Sequence, residues 1–283
     1  MPWYFFAIIS VLGISIAILL ERLLMKEENS NPISYAIIFQ FLVGIISLII
    51  TVLLNKFVLP ENANLLPRFF VSAFLWAGMT VFNFKAIKTL TAGEITILGT
   101  SGTVISILLG ILFLGETLKI SGILGILLIF AAILIINSDK LSFNSKRGVM
   151  FALLSAICGG VAVVNDAFIL RSYEAFSYMA IISLLPGFIL LLLFPKQFLE
   201  SKKLLNLRGI KLMTIFCIFY SIQGIAYYLA FQKGAPVSQL SPLVRSSIVL
   251  TVLLGAMFLK ERQNLLKKLF AAVIASAGAI MVR

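Results

Sequence analysis

The sequence contains no histidine and only two cysteines in 283 residues. The absence of histidine excludes histidine catalysis and histidine ligation of a metal. Cys158 and Cys217 both lie inside long apolar runs, so neither a disulfide framework nor a cysteine metal cluster is indicated. An intramembrane aspartyl enzyme needs two facing aspartates, and the only aspartates are Asp139, in the link between the two halves, and Asp166. We therefore predict a protein that is not an enzyme and uses no metal or cofactor.

Charged residues are also scarce, at 12% of the chain, whereas 61% of the residues are hydrophobic and the mean hydropathy is +1.10. A soluble domain cannot bury so much apolar surface. A membrane-spanning helix needs about 20 apolar residues. Charge and turn clusters divide the chain into ten such stretches, near 3–24, 33–54, 68–87, 93–114, 120–137, 148–170, 178–194, 210–231, 237–258 and 266–282. The prediction is an all-α integral membrane protein with ten transmembrane helices.

The net charge of +12 is distributed unevenly along the chain. Sixteen Lys and Arg residues lie in or beside the links after stretches 1, 3, 5, 7 and 9, and six lie on the other side. Such short basic links orient a membrane protein, so nucleic acid is not the expected partner. The positive-inside rule places these links in the cytoplasm and both termini outside.

The second half of the sequence repeats the first after a constant shift of 145 positions. Equivalent pairs include Ser10 and Ser155, Glu21 and Asp166, Lys88 and Lys233, Ser101 and Ser246, and Glu116 and Glu261. Each copy holds five spans, an odd number, so the second copy must enter the membrane upside down. The prediction is two inverted five-helix repeats, residues 1–140 and 146–283. Inverted repeats of this kind are typical of secondary transporters that work by alternating access.

Two short motifs connect this pattern with a known family. Gly13 lies in the middle of the first span, and the fourth span ends in Leu114, Gly115 and Glu116. Leu259, Lys260 and Glu261 repeat that ending with lysine in place of glycine. In its ten-span frame the whole chain resembles the EamA type of the drug/metabolite transporter superfamily. This resemblance implies a ten-helix fold and transport of a small organic molecule.

The sequence departs from that family at three places. Leu12 precedes Gly13 where members often carry tryptophan, and Gln40 lies near the place of an arginine in the second span. The fourth span contains no proline, which members often carry there. The resemblance therefore predicts the fold without predicting a substrate.

Arg245 is the charged residue best placed for substrate binding, because it lies eight residues into the ninth span. A charge at the bilayer centre costs at least about 2.5–3.5 kcal/mol and is usually functional or paired. One interpretation is a guanidinium presented to a substrate carboxylate or phosphate. The other is an ion pair with a carboxylate or a side chain that reaches an interface. Pro242 removes a helix hydrogen bond just before it and predicts a kink.

Glu21 and Asp166 are equivalent by the repeat, and each lies late in the first span of its half. A carboxylate in that place suits a proton or a substrate amine. The alternative is a helix-end charge in the headgroup region, which the neighbouring Arg22 favours for Glu21. Asp166 and Arg245 are also candidates for an ion pair with each other.

Aromatic and amide side chains share faces on two helices. Trp76 and Asn83 lie on one face of the third span, and Gln223 and Tyr227 share a face of the eighth. We expect these faces to line a cavity, with Tyr228 pointing elsewhere, although helix packing and interfacial anchoring are common uses of such residues. Small residues at 99–103 and at 246–247 are expected to allow close helix packing.

Glu116 and Glu261 lie at the membrane edge. A structural or gating role at the rim is expected for both, rather than contact with substrate. With Glu21 they form the candidate coupling or gating set.

These observations predict a secondary transporter in the cytoplasmic membrane, as a monomer or homodimer among lipids. Its central cavity is expected between spans 1, 3, 4, 6, 8 and 9. The best candidate substrate is an amino acid or related zwitterion, with Arg245 on the carboxylate and Asp166 on the amine or on a coupling proton. The alternatives are a flippase for a lipid or lipid-linked carrier and a non-transporting partner subunit, because a fold alone does not decide function.

Overall fold

The computed structural model describes residues 1–24, 31–90, 92–137, 145–200, 207–258 and 265–282. Every regular element among them is helical, as predicted. The α-helices are α1 (Trp3–Leu24), α2 (Pro32–Leu53), α3 (Leu66–Ile87), α4 (Ala92–Leu114), α5 (Ile120–Asn137), α6 (Lys146–Ile169), α7 (Ala175–Leu193), α8 (Pro195–Glu200), α9 (Leu207–Gln232), α10 (Val237–Arg245), α11 (Ser247–Phe258) and α12 (Leu265–Val282). A short 3-10 turn, Ala63–Leu65, precedes α3.

Seven helices in the described part of the chain are long and apolar enough to cross a membrane: α1 to α4, α6, α7 and α9. Two shorter apolar helices lie at Ile120–Ile135 and Leu269–Val282. The ninth apolar stretch is divided into α10 and α11 at Ser246. Pro242 lies inside α10, one turn before this break, and lacks the N–H that a continuous helix would use. The ninth stretch is therefore interrupted near Pro242, at Ser246, four residues after the proline.

Side chains fix the beginnings of several helices by accepting hydrogen bonds from backbone N–H groups that a helix leaves unpaired. The Asn31 side chain accepts from the N–H of Ile33 at the start of α2. The Ser145 side chain accepts from Gly148 and begins α6. These caps set where each membrane helix enters from its link.

The long helices pack in pairs, α1 on α9, α3 on α6, α2 on α7 and α5 on α12, and α4 also packs on α6. Glycine permits the closest approaches. A methyl group at Gly160 would lie 2.6 Å from the carbonyl oxygen of Gly102, and one at Gly125 would lie 2.6 Å from that of Gly278. Small residues let helix backbones come this close in a membrane, where packing rather than hydrophobic burial holds helices together.

Residues 145 apart make equivalent contacts in different helix pairs. Ser10 on α1 donates to Gln223 on α9, and its equivalent Ser155 on α6 donates to the carbonyl of Met79 on α3, one residue after the equivalent of Gln223. Gly160 on α6 lies against Gly102 on α4. Their equivalents, Ser15 on α1 and Ser247 at the start of α11, are joined by a hydrogen bond of 3.1 Å. The contacts of one half thus recur with the roles of the halves exchanged.

Candidate functional site

A cavity of about 720 Å³ lies between the helices and is lined by α1 to α4, α6, α7 and α9 to α11. Six residues singled out from the sequence line it: Glu21, Trp76, Asn83, Gln223, Tyr227 and Arg245. Besides the helices expected from the sequence, α2 contributes Phe39 and Gln40, and α7 contributes Met179, Ile182 and Ser183. Gln40 was noted only as a departure from a family pattern. Its amide donates to the Thr80 hydroxyl at 2.7 Å and joins α2 to α3 beside the cavity.

Arg245 ends α10 and reaches across the cavity wall to α4. Its Nη2 donates a hydrogen bond to the carbonyl oxygen of Gly99. A methyl group at Gly99 would lie 2.6 Å from Nη2, so glycine makes room for the guanidinium. The Nε of Arg245 is buried and has no hydrogen-bond partner among the described residues. A cation with a buried, unused donor is suited to an anionic group that enters the cavity.

Asp166 is 0% exposed and accepts four hydrogen bonds from other helices. Its Oδ1 accepts from the hydroxyls of Ser72 at 2.5 Å and Tyr178 at 2.6 Å. Its Oδ2 accepts from the Trp76 indole N–H at 2.8 Å and the Tyr228 hydroxyl at 3.1 Å. All four partners are neutral, so these contacts take the place of the ion pair with Arg245 that the sequence left open.

Asp166 lies behind the cavity wall. The two donors to its Oδ2, Trp76 and Tyr228, line the cavity, whereas Asp166 is not among the lining residues. Direct contact between Asp166 and a molecule in this cavity therefore requires Trp76 or Tyr228 to move. The spacing of residues along α3 predicts which face Trp76 occupies. It does not predict that the carboxylate of Asp166, on α6, accepts a hydrogen bond from the Trp76 indole.

Tyr228 lies in the cavity wall, so the expectation that it points elsewhere was wrong. The helical spacing predicts only the face of α9 with Gln223 and Tyr227 in the cavity wall. The cavity contacts a wider part of α9, which includes both Tyr227 and Tyr228. Their rings lie 5.9 Å apart. Tyr178, on α7, was not singled out from the sequence. The sequence feature that could have identified it is a tyrosine near the start of the helix that follows Asp166.

Several polar groups of the wall have partners that fix their orientation. The Gln223 side-chain oxygen accepts from Ser10 at 3.2 Å. The hydroxyls of Tyr227 and Ser241 lie 3.4 Å apart. Asn83 lies one turn beyond Thr80, whose hydroxyl donates to the backbone of Trp76 at 2.7 Å. The wall therefore combines aromatic surface with a few oriented hydrogen-bonding groups, as small-molecule sites usually do.

Glu116 lies outside the cavity and caps α10. Its two carboxylate oxygens accept from the N–H groups of Val237 at 2.6 Å and Ser238 at 2.8 Å. Gly115 just before it has φ +69, a left-handed conformation that ends α4 and favours glycine. The Leu-Gly-Glu ending thus stops one helix and begins another. Its second copy, including Glu261, lies outside the described residues.

Replacing Glu116 with alanine is expected to lower the stability of the folded protein by about 0.5–2 kcal/mol, the usual effect of losing a helix cap. The cause is that two N–H groups at the start of α10 lose their acceptor. Thermal unfolding in detergent measures the change. Lys119→Ala, at an exposed site in the same link, is the control. Equal melting temperatures for the two variants would contradict the capping role.

Comparison with known proteins agrees with this architecture. The model of the EamA-like transporter family matches residues 1–138 and 146–283. No curated protein matches the chain. Among 28 matching chains of solved structures, one described as "Crystal structure of protein" is 16% identical and has a TM-score of 0.76. The match covers 98% of this chain and 94% of that one, and at this identity it shows the fold alone. The family match and the apolar helices together make this chain a multi-pass membrane protein that belongs to the EamA-like transporter family.

Proposed function

We propose that the protein is a secondary transporter that moves a small organic metabolite across the cytoplasmic membrane through the central cavity. Membership of the EamA-like transporter family supports the movement of a small solute. The cavity, of about 720 Å³, lies within the usual range of about 300–1,000 Å³ for small-molecule sites. An amino acid or a related zwitterion is the substrate class that we favour.

Arg245 is the observation that carries this proposal. A guanidinium inside a membrane protein is costly unless it has a partner. Here its hydrogen bond goes to the neutral carbonyl of Gly99, and its buried Nε is unused among the described residues. A substrate carboxylate would supply the opposite charge that the guanidinium does not find in the Gly99 carbonyl. We therefore place the carboxylate of the substrate at Arg245.

The remaining groups of the wall suit the rest of a zwitterion. Trp76 and Tyr227 offer aromatic surface to an apolar side chain, and Asn83 and Gln223 offer hydrogen bonds. Glu21 is an acidic residue of the wall and is placed to attract an amine. An amine on Asp166, the arrangement expected from the sequence, would need the wall between them to open.

Alternating access by two inverted repeats is the mechanism that we propose. The ten-span architecture, with repeats at 1–140 and 146–283, is supported by the two family matches and by contacts that recur at positions 145 apart. Exchange of the roles of the two halves would then open the cavity to opposite sides in turn. The positions of the basic residues favour termini on the outer side.

Ligand-induced thermal stabilisation of the detergent-solubilised protein tests the substrate class. The panel contains amino acids, the corresponding amines without a carboxylate, their methyl esters, and organic acids without an amine. A ligand at about 100 times its Kd stabilises the folded state by about 2.7 kcal/mol. We expect stabilisation by one or more amino acids and by neither the matching amines nor the esters.

Two other outcomes would contradict the proposal. If amines or esters stabilise the protein as strongly as the free amino acids do, the carboxylate does not contribute to binding. Stabilisation by lipids or lipid-linked carriers alone would favour the flippase alternative.

A further inference from the structure

Asp166 is the centre of a hydrogen-bond chain that joins the cavity wall to the beginning of α3. On the cavity side it contacts Trp76 and Tyr228. On the other side its partner Ser72 accepts from the Asn165 amide at 2.8 Å. The Asn165 side chain accepts in turn from Nη1 of Arg68 at 3.1 Å. Arg68 is half-buried near the start of α3, where its guanidinium lies 3.7 Å from the centre of the Phe168 ring.

The chemistry of these partners allows Asp166 to change its protonation state. An ionised carboxylate only accepts hydrogen bonds, and here it accepts four. A protonated carboxyl must also donate one, so one of its partners must become an acceptor. The Trp76 indole can only donate, but the hydroxyls of Ser72, Tyr178 and Tyr228 can do both. The site therefore holds hydroxyl groups that can accept a hydrogen bond from the protonated carboxyl.

Among these three hydroxyls, that of Tyr228 belongs to a residue that lines the cavity, so a change from donor to acceptor at Tyr228 would alter the cavity wall. When the carboxyl of Asp166 takes a proton, one O–H bond forms and the proton comes from water. If the new O–H donates to the Tyr228 oxygen, the Tyr228 hydrogen must turn away from Oδ2. Tyr228 and Trp76 share Oδ2 and both line the cavity, so the proton changes the wall that a substrate meets.

The surroundings of Asp166 hold few other ionisable groups. The titratable and charged residues on the elements packed around it are Arg68 and Lys85 on α3, Glu94 on α4, Lys146, Arg147 and Cys158 on α6, Tyr178 on α7, Arg208, Lys211, Cys217, Tyr220, Tyr227 and Tyr228 on α9, and Arg245 on α10. Glu94 lies in the first turn of α4, whereas the opposite end of that helix, at Leu114, accepts a hydrogen bond from Arg171 just after α6. Lys146 and Arg147 begin α6, about 30 Å from Asp166 along the helix. Tyr178 and Tyr228 are thus the ionisable side chains that donate hydrogen bonds to Asp166, and Arg68 is linked to it through Asn165 and Ser72.

We infer that Asp166 is a proton-binding residue that acts on the cavity through Trp76 and Tyr228, and not by touching the substrate. If the proposed transport function holds, the proton at Asp166 is the coupled ion. Trp76 and Tyr228 then make the shape and hydrogen bonding of the wall depend on that proton. Asp166 is a positioning residue in this scheme.

Trp76 provides a direct readout that needs no substrate. The chain has two tryptophans, Trp3 and Trp76, so Trp3→Phe leaves Trp76 as the sole fluorophore. We expect its emission to change with pH in a single transition, because the indole donates directly to the titrating carboxyl. The measurement covers about pH 4 to pH 9, below the ordinary titration of tyrosine.

The same titration is then measured in Trp3→Phe/Asp166→Asn and in Trp3→Phe/Glu94→Gln. We expect the transition to be lost in the first variant and kept in the second, which removes another buried carboxyl. A transition that survives in Asp166→Asn would overturn the inference, as would a flat titration in folded Trp3→Phe protein.

If Asp166→Asn fails to fold, Trp3→Phe/Tyr228→Phe supplies the test. That variant removes a hydrogen bond that is charge-assisted, and therefore stronger, when Asp166 is ionised, so we expect the midpoint to move to higher pH. An unmoved midpoint would overturn the inference. Because this titration uses protein without ligand, its failure leaves the substrate proposal standing, and failure of the ligand panel leaves the proton site standing.

Discussion

Arg245→Ala is expected to weaken binding of an anionic or zwitterionic ligand by about 30-fold or more. Truncating one partner of a buried charge pair typically costs about 2–5 kcal/mol, and each 1.4 kcal/mol is tenfold in affinity. The variant without ligand should melt at the same temperature as the wild type or higher. The reason is that removing a buried charge removes its desolvation cost. Calorimetric titration and thermal unfolding measure the two effects.

Two further arginine variants sharpen this prediction. Arg245→Lys keeps the charge but loses the planar fork that contacts a carboxylate at two points, so an intermediate affinity is expected. Arg171→Ala removes an exposed arginine that donates to the Leu114 carbonyl, far from the cavity lining, and should leave binding unchanged. Equal affinity in Arg245→Ala and the wild type would show that the guanidinium has a purely structural role.

Gly160→Ala is expected to destabilise the folded protein strongly. The added methyl group would lie 2.6 Å from the carbonyl oxygen of Gly102 and 3.0 Å from the Ile105 side chain. The Gly102 carbonyl belongs to the backbone and cannot move aside as a flexible side chain can. The added methyl group therefore forces α4 and α6 apart. Overpacking of this kind costs about 1–3 kcal/mol or more. We expect a fall of several degrees in melting temperature, or a loss of folded protein from the membrane.

Gly159→Ala is the matched control, one residue earlier on the same helix. Its methyl group would meet the Cγ of Met79 at 3.4 Å, an ordinary contact with a flexible side chain. Alanine also favours a helix over glycine by about 1 kcal/mol. The control should therefore melt at the wild-type temperature or above it. Equal destabilisation of the two variants would mean that the α4–α6 crossing is looser than the structure has it.

Periodicity predicted the part of the site that depends on single helices. Trp76 and Asn83 fall on one side of α3 at helical spacing, and Gln223 and Tyr227 on one side of α9. All four line the cavity. The cost of a charge in lipid singled out Arg245 without any knowledge of its neighbours. These inferences hold because they use only the geometry of one helix or the solvent around it.

The partners of each side chain depend on how helices cross, and the sequence pattern does not encode that. Asp166 is surrounded by residues of three other helices, at positions 72, 76, 178 and 228, so its four donors emerge only from packing. Glu116 lies 121 residues before Val237, the residue that it caps. The same limit explains why Tyr228 was placed on the wrong side of α9.

The central claim is that Arg245 and the cavity around it carry an anionic or zwitterionic metabolite across the membrane. Counterflow in proteoliposomes tests it most directly, with a ligand that stabilises the protein in the thermal panel. Vesicles loaded with unlabelled ligand should transiently accumulate labelled ligand when they contain wild-type protein. Vesicles with Arg245→Ala should behave like protein-free vesicles. Ligand binding without counterflow in the wild type, or full counterflow in Arg245→Ala, would contradict the account.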